Sequence, residues 1–135
     1  MDSTTLEVST GHRFACVDLT ARVQQWLHGR GDGLCTVFVQ HATAGIAVFE
    51  TGAGTEVDVE RAVGDLLPRD EGHWEHRHGS SGHGADHVLP AIVSPSVTIP
   101  VVNGRMALGT WQSVVLVDPN LDNAERKVLV TFLAG

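Results

Sequence analysis

The amino-acid sequence predicts one α+β domain over residues 1–135, in which two or three helices pack on a mostly antiparallel sheet to form two layers. Three observations predict this fold class. Short stretches of alternating apolar and polar residues, typical of half-buried strands, recur along the chain. Two other stretches repeat apolar residues at helical spacing. Finally, the pair Asn103-Gly104 marks a tight hairpin.

The first fifty residues are expected to form four strands and one helix. The helix lies between the second and third strands, where Asp18 or Thr20 is the expected cap and the glycines from Gly29 to Gly33 end it. Its apolar stripe at i, i+4, i+7 and i+8 consists of Leu19, Val23, Trp26 and Leu27. The predicted strands are 4–10, 14–19, 34–42 and 45–50.

A second helix is predicted after the fourth strand. Thr55 and Asp58 have the spacing of a capping box, with Asp where Glu is usual, and Pro68 is expected to end the helix. The same helical stripe recurs in Val59, Val63, Leu66 and Leu67. A short helix over 85–93 is compatible with Pro90 only if this proline lies in the first turn.

A hairpin is the clearest element of the second half. Asn103-Gly104 predicts a type I′ turn that pairs Val102 with Arg105, and a last strand is predicted at 126–134. Continued pairing would give a core face of Ile99, Val101, Met106 and Leu108. The opposite face would carry Ser96, Thr98, Arg105, Gly109, Trp111 and Ser113. That face suits an anion beside a flat ring, a contact with another subunit, or both.

The composition limits the partners and the compartment. A net charge of −7 with no basic face argues against nucleic acid, although a local pocket could still take a small anion. No apolar stretch is long enough for a membrane span, and the N-terminus lacks the pattern of a signal peptide. Cys16 and Cys35 lie in apolar stretches, so free thiols are favoured over a bridge. We therefore expect a cytoplasmic protein with no membrane partner.

Histidines dominate the polar, glycine-rich loop predicted over 69–84. The stretch "HWEHRHGSSGHGADH" (73–87) holds five of the eight histidines in the chain. Three imidazoles with an open fourth position describe a catalytic zinc site, yet the spacings match no established zinc motif. A solvated loop is therefore the alternative. His41 and Glu50 each end a predicted strand, which allows an acid–base pair or simply a core histidine bonded to a backbone carbonyl.

Several motifs in unbroken order give the chain a family resemblance. "HATAGIAVFE", "LLP", an isolated His76, "HVLPAIVSPSVTIPVVNGRMALGTWQ" and a terminal "RKVLVTFLAG" cover nearly the whole sequence. In these motifs the chain resembles the YjbQ-like family, which carries the label of a secondary thiamine-phosphate synthase. The resemblance implies a small α+β protein that assembles as a homotrimer, with a polar pocket at the subunit boundary.

The resemblance also implies site residues. The implied metal ligands are His41, His76 and His87, with zinc as the expected ion; His73, His78 and His83 match no family position. The implied catalytic residues are His41, Glu50 and His87. The implied ligand-binding residues are Thr43, Arg105, Thr110, Trp111, Gln112 and Arg126. The chain departs from the family at Thr51, Gly84 and Ala124.

Two functions are compatible with these residues, and a purely structural trimer is a third possibility. The first is an enzyme whose intersubunit pocket, lined by histidines, acts on a small phosphorylated or anionic metabolite. The family label would make this reaction the condensation of a pyrimidine diphosphate with a thiazole phosphate, which needs the diphosphate charge neutralised. The second is a non-catalytic module that binds a metal or an anion at the same histidines.

Overall fold

The computed structural model describes all residues from 1 to 135 and confirms the α+β class. The helices are α1 (Thr20–Leu27), α2 (Thr55–Leu66) and α3 (His83–Val88). Single 3₁₀ turns occur at Glu71–His73 and Leu89–Ala91. The strands are β1 (Asp2–Ser9), β2 (Ala15–Asp18), β3 (Gly33–Val39), β4 (Gly45–Phe49), β5 (Ser96–Val102), β6 (Arg105–Met106), β7 (Ser113–Asp118) and β8 (Glu125–Ala134). No helix has the length and apolar character needed to cross a membrane.

The strands form two sheets, and every paired strand is antiparallel to its neighbour. The larger sheet has the order β1-β8-β3-β5-β6, and the smaller has the order β2-β7-β4. One core lies between the sheets and includes the α1 stripe, in which Leu19, Val23 and Leu27 are fully buried. A second core lies where Val115 and Val117 on the other face of β7 meet α2 and α3. β7 is therefore buried on both faces.

The outer face of the larger sheet has no layer over it. A row of hydroxyl side chains crosses it, with Ser3 beside Thr131 and Thr36 beside Thr98 at 3.0 and 2.9 Å between side-chain oxygens. Leu34, Phe38 and Leu133 stand on the same face and are each 39–53% exposed. We call these seven residues the open sheet face.

The two long helices begin differently from the prediction. α1 follows Leu19, and Asp18 accepts the backbone N–H of Thr20 at 2.9 Å instead of occupying the cap position itself. The capping box predicted for α2 is wrong, because Gly54 holds the cap position with φ 92° and Thr55 is already helical. A carboxylate still contacts this end of the helix, since Glu56 accepts the N–H of Gly52 at 2.8 Å.

The hairpin turn is confirmed, but its second strand is shorter than predicted. Asn103 and Gly104 both have positive φ, and Val102 pairs with Arg105 as expected. β6 ends at Met106, so the predicted pairs from Ile99 and Leu108 onward do not form. Pro100 explains this: its carbonyl accepts the N–H of Ala107 at 2.8 Å, but it has no N–H to return.

Candidate metal centre

Four histidine side chains cluster where α3 meets the loop before it. His83 and His87 come from α3, and His76 and His78 come from the loop. The ring centroid of His76 lies 4.0 Å from that of His78 and 4.1 Å from that of His87. One ring nitrogen from each of His76, His83 and His87 lies within 4.8 Å of the other two. The fold therefore brings three potential metal ligands together within one chain.

Glycines allow this cluster to form. Gly82 holds the cap position of α3 with φ 76°, a backbone conformation that residues other than glycine disfavour. The helix therefore begins at His83, two residues before the predicted start at residue 85. This start places His83 and His87 one helical turn apart on the same face. A Cβ on Gly84 would approach the carbonyl oxygen of His76 to 2.5 Å, so only glycine lets the loop lie this close to the helix.

The geometry of the α3 pair fits a zinc ion. The Nε2 atoms of His83 and His87 are 3.1 Å apart. Two imidazole nitrogens at 2.0–2.1 Å from a tetrahedral zinc are separated by about 3.3 Å, so this pair is already near that spacing. His76, on the loop, has to approach more closely to complete the set.

Carboxylates behind His83 set the role of each ring nitrogen. His83 Nδ1 lies 2.9 Å from Asp122 Oδ2 and 3.4 Å from Asp86 Oδ2. A carboxylate has no hydrogen to donate, so Nδ1 carries the proton and Nε2 presents its lone pair to the cluster. This arrangement of carboxylate, histidine and open nitrogen is the one that supports histidine ligands in metal sites.

The pocket behind His83 is incompletely satisfied. His83 Nδ1 and Asp86 Oδ2 are buried, and the contacts of Nδ1 with the two carboxylates are charge contacts whose geometry is not that of a hydrogen bond. Asp86 pairs through its other oxygen with Arg69, which also donates to Ser80 and Ser81. Burial raises the pKa of Asp86, and the Arg69 charge opposes that shift.

Asp122 is held in place by the loop before α3. Its Oδ2 accepts the backbone N–H and the hydroxyl of Ser80 at 3.1 and 3.2 Å. The backbone hydrogen bond from Ser80 is the largest cause of a lowered pKa at Asp122. The carboxylate is therefore ionised at neutral pH and available to orient His83.

If the three histidines hold a zinc ion, replacing Asp122 by asparagine should lower zinc affinity by about 10- to 100-fold, because supporting carboxylates contribute about that much to metal binding. Competition with a zinc-binding dye measures the change. Asp65→Asn, on an exposed residue of α2, is the matched control and should bind as the wild type does. Equal affinity in Asp122→Asn and wild type would show that this carboxylate does not support a ligand.

His41 lies outside the cluster, in contrast to its predicted grouping with His76 and His87. Its Nε2 accepts the backbone N–H of Lys127 at 2.9 Å, so in the neutral ring Nδ1 carries the hydrogen. Desolvation, followed by the charge of Arg126, lowers the pKa of His41. A cavity of about 350 Å³ lies here, lined by Glu7, His41, Asn123, Glu125, Arg126 and Lys127. Within one chain, His83 takes the place predicted for His41.

Two of the predicted ligand-binding residues are engaged inside the fold. Arg126 is 2% exposed and donates to both oxygens of Asp118, at 2.7 and 2.9 Å. Its Nη2 also donates to the hydroxyl of Thr43 at 2.9 Å. Thr10 donates to Asp118 as well, at 2.6 Å. Nε and Nη2 of Arg126 are therefore occupied by hydrogen bonds within the fold.

The other predicted residues are spread over the surface of the chain. The β4–β7 pairing runs from Gly45 and Val117 at one end of the smaller sheet to Phe49 and Ser113 at the other. Glu50 and the turn before Ser113 therefore lie at the Phe49 end. The turn holds Thr110, Trp111 and Gln112; Trp111 is 72% exposed, and Gln112 accepts the N–H of Gly109 at 2.7 Å. Arg105 lies beside α1 at the β5–β6 turn. One chain alone therefore does not assemble the predicted set.

The segment between β7 and β8 connects the Arg126 network to the histidine cluster. Asn120 donates from its side chain to Thr43 at 2.9 Å, and its side-chain oxygen accepts the N–H of Asp122 at 2.8 Å. Asp122 in turn faces His83. The sequence analysis did not identify three residues of this network, Asp118, Asn120 and Asp122. A signal was present, because "DPNLDN" (118–123) at the end of a buried strand concentrates the residue types found at functional sites.

Comparison with protein families gives one match over nearly the whole chain. A family model described as UPF0047 protein, YjbQ-like, matches residues 4–135. The UPF0047 protein Rv2556c of Mycobacterium tuberculosis is 54% identical over 135 residues, which is 100% of both chains. The UPF0047 protein YugU of Bacillus subtilis is 36% identical over 116 residues, covering 82% of this chain and 83% of its own.

Solved structures show the same architecture. A hypothetical protein from Aeropyrum pernix K1 superposes with a TM-score of 0.87 at 33% identity, covering 100% of both chains. A protein of unknown function from Sulfolobus solfataricus P2 gives a TM-score of 0.85 at 25% identity, covering 99% of this chain and 97% of its own. The fold is thus shared across distant organisms.

Proposed function

The chain belongs to the UPF0047 family of YjbQ-like proteins, and we propose that it binds one zinc ion through His76, His83 and His87 and acts there on a small phosphorylated or anionic metabolite. The observation that carries this proposal is the convergence of three ring nitrogens within 4.8 Å, with two carboxylates behind the central ligand. Three histidines leave the fourth tetrahedral position open, as in catalytic zinc sites.

The protonation of the histidines supports a cation over an anion. Desolvation lowers the pKa of both His76 and His87, and the neighbouring histidines lower it further. The unperturbed imidazole pKa is about 6.5, so both rings are neutral at pH 7. Neutral imidazoles are metal ligands, whereas an anion would need them protonated.

The chemistry follows from the donor set. Zinc held by three imidazoles polarises a phosphoryl or carbonyl oxygen and lowers the pKa of a bound water. The residues of this chain would hold the ion, keep His83 in one tautomer and leave one side accessible to a ligand. This site suits hydrolysis or transfer at an anionic group, which includes the condensation that the family label implies.

We propose that the protein works as a homotrimer. The predicted residues Glu50, Trp111 and Arg105 lie on surfaces apart from the histidine cluster, so a neighbouring subunit is needed to bring them to it. The open sheet face and the exposed Trp111 offer apolar surface for such contacts. Both cysteines are unpaired thiols, which supports the proposed cytoplasmic location.

The pH dependence of zinc affinity tests the nature of the site. Protons and zinc compete for the same nitrogens, and the lowered pKa values of His76 and His87 place this competition below about pH 6.5. We expect constant affinity from about pH 8 to 6.5. Below that, affinity should fall about tenfold per pH unit for each ligand that takes up a proton. Calorimetric titration with zinc across this range measures it.

The alternative functions give different results. If the histidines hold an anion, phosphate affinity increases as the pH falls and zinc affinity is negligible throughout. A non-catalytic module would bind zinc as predicted but leave phosphate esters unchanged, and would not condense a pyrimidine diphosphate with a thiazole phosphate. Turnover that depends on added zinc is the result expected for the enzyme.

A further inference from the structure

A cavity of about 290 Å³ lies beside α2 and α3, and none of the predicted site residues lines it. Its walls come from α2, α3, the residues just before β2, and the segment that follows β7. The apolar lining consists of Phe14, Val63, Leu67, Ala85 and Leu121. Its size is near the lower end of the range for small-molecule sites, so it suits a compact ligand.

Gly64 keeps this cavity open. It lies in the interior of α2, where glycine destabilises a helix relative to alanine. No atom lies within 4 Å of the position that its Cβ would occupy, so no packing contact requires a glycine there. Since Gly64 lines the cavity, a longer side chain at this position would project into the available space. The glycine is explained if that space is used by a ligand.

Arg13 gives the cavity its chemical selectivity. Four charged residues line it, the carboxylates Glu60 and Asp86 and the guanidinium groups of Arg13 and Arg69, and among them Arg69 pairs with Asp86. Arg13 makes no hydrogen bond and no ion pair in the structure. An unpaired guanidinium beside an apolar wall matches a carboxylate attached to an apolar body.

We propose that this cavity binds a small carboxylate with an aromatic or short aliphatic body. The carboxylate pairs with Arg13, and the body lies against Phe14, Val63 and Leu67. Binding here does not require zinc. The cavity can therefore be tested in zinc-free protein, and its failure would leave the proposed metal centre untouched.

The test is an NMR titration of the zinc-free protein with 3-phenylpropanoate, followed through the amide signals of Val63, Leu67 and Ala85. Its neutral amide, 3-phenylpropanamide, is the matched ligand. We expect saturable binding of the acid, and affinity about tenfold weaker in Arg13→Gln because a charge-assisted contact is lost. Arg13→Gln should leave binding of the amide unchanged.

Two substitutions at Gly64 separate a filled cavity from a damaged fold. Gly64→Leu should abolish binding, and Gly64→Ala, which favours the helix, should weaken it only a few-fold. The amide spectrum shows whether each variant is folded. The proposal is overturned if no saturable shift occurs up to about 10 mM ligand, if acid and amide bind equally, or if folded Gly64→Leu or Gly64→Ala binds more tightly than the wild type.

Discussion

Replacing His83 by alanine is expected to lower zinc affinity by more than about a hundredfold, and His76→Ala and His87→Ala should have effects of the same size. Removing one of three ligands costs at least as much as removing a supporting carboxylate, which already costs about 10- to 100-fold. His83 is the most informative position, because its Nε2 lies 3.1 Å from that of His87 and its Nδ1 faces Asp122. Zinc affinity by dye competition measures the change.

His73→Ala is the control for this experiment. His73 belongs to the same histidine-rich stretch, but its ring packs against Trp74 at 4.6 Å and supplies no nitrogen to the three-ligand group. The His73→Ala variant should bind zinc with the affinity of the wild type. If His83→Ala keeps full affinity while His73→Ala loses it, the ligands have been misassigned.

The largest effect on stability is expected at Arg126. Arg126→Met would leave the carboxylate of Asp118 buried without its partner, and this costs about 3–5 kcal/mol of unfolding free energy. Urea unfolding at one fixed protein concentration measures the loss, since an oligomer's stability depends on concentration. The double variant Arg126→Met/Asp118→Leu should recover part of it, because no unpaired charge remains.

The control for Arg126 is Arg61→Met on α2, where the side chain is 72% exposed and its contact with Asp58 is 4.0 Å. That substitution should change stability by less than about 0.5 kcal/mol. A loss below about 1 kcal/mol for Arg126→Met would mean that the buried pair is not a structural requirement. Arg126 would then be available to a ligand, as the family resemblance implies.

Most of the secondary structure could be predicted from the sequence because local patterns determine it. Asn103-Gly104 specified the turn, and the α1 stripe of Leu19, Val23 and Leu27 is fully buried. The division into two sheets could not be predicted, because it depends on which strands pair at long range. The early end of β6 could have been foreseen, since Pro100 cannot donate a hydrogen bond.

The candidate site was only partly predictable. The family resemblance implies His76 and His87, whereas His83 matches no family position and lies in a stretch predicted as loop. The approach of the loop to α3, which brings His76 near His83, depends on Gly84 and on packing between segments, so local patterns could not predict it. Arg126 shares its strand face with Val128 and Val130, so the alternation of β8 already indicated a buried, paired arginine.

The most direct test of the metal centre is anomalous diffraction at the zinc edge from crystals of zinc-loaded protein. We expect one strong peak per chain, about 2.0–2.1 Å from a ring nitrogen of each of His76, His83 and His87. The absence of a peak at this cluster, or a peak at His41 instead, would contradict it.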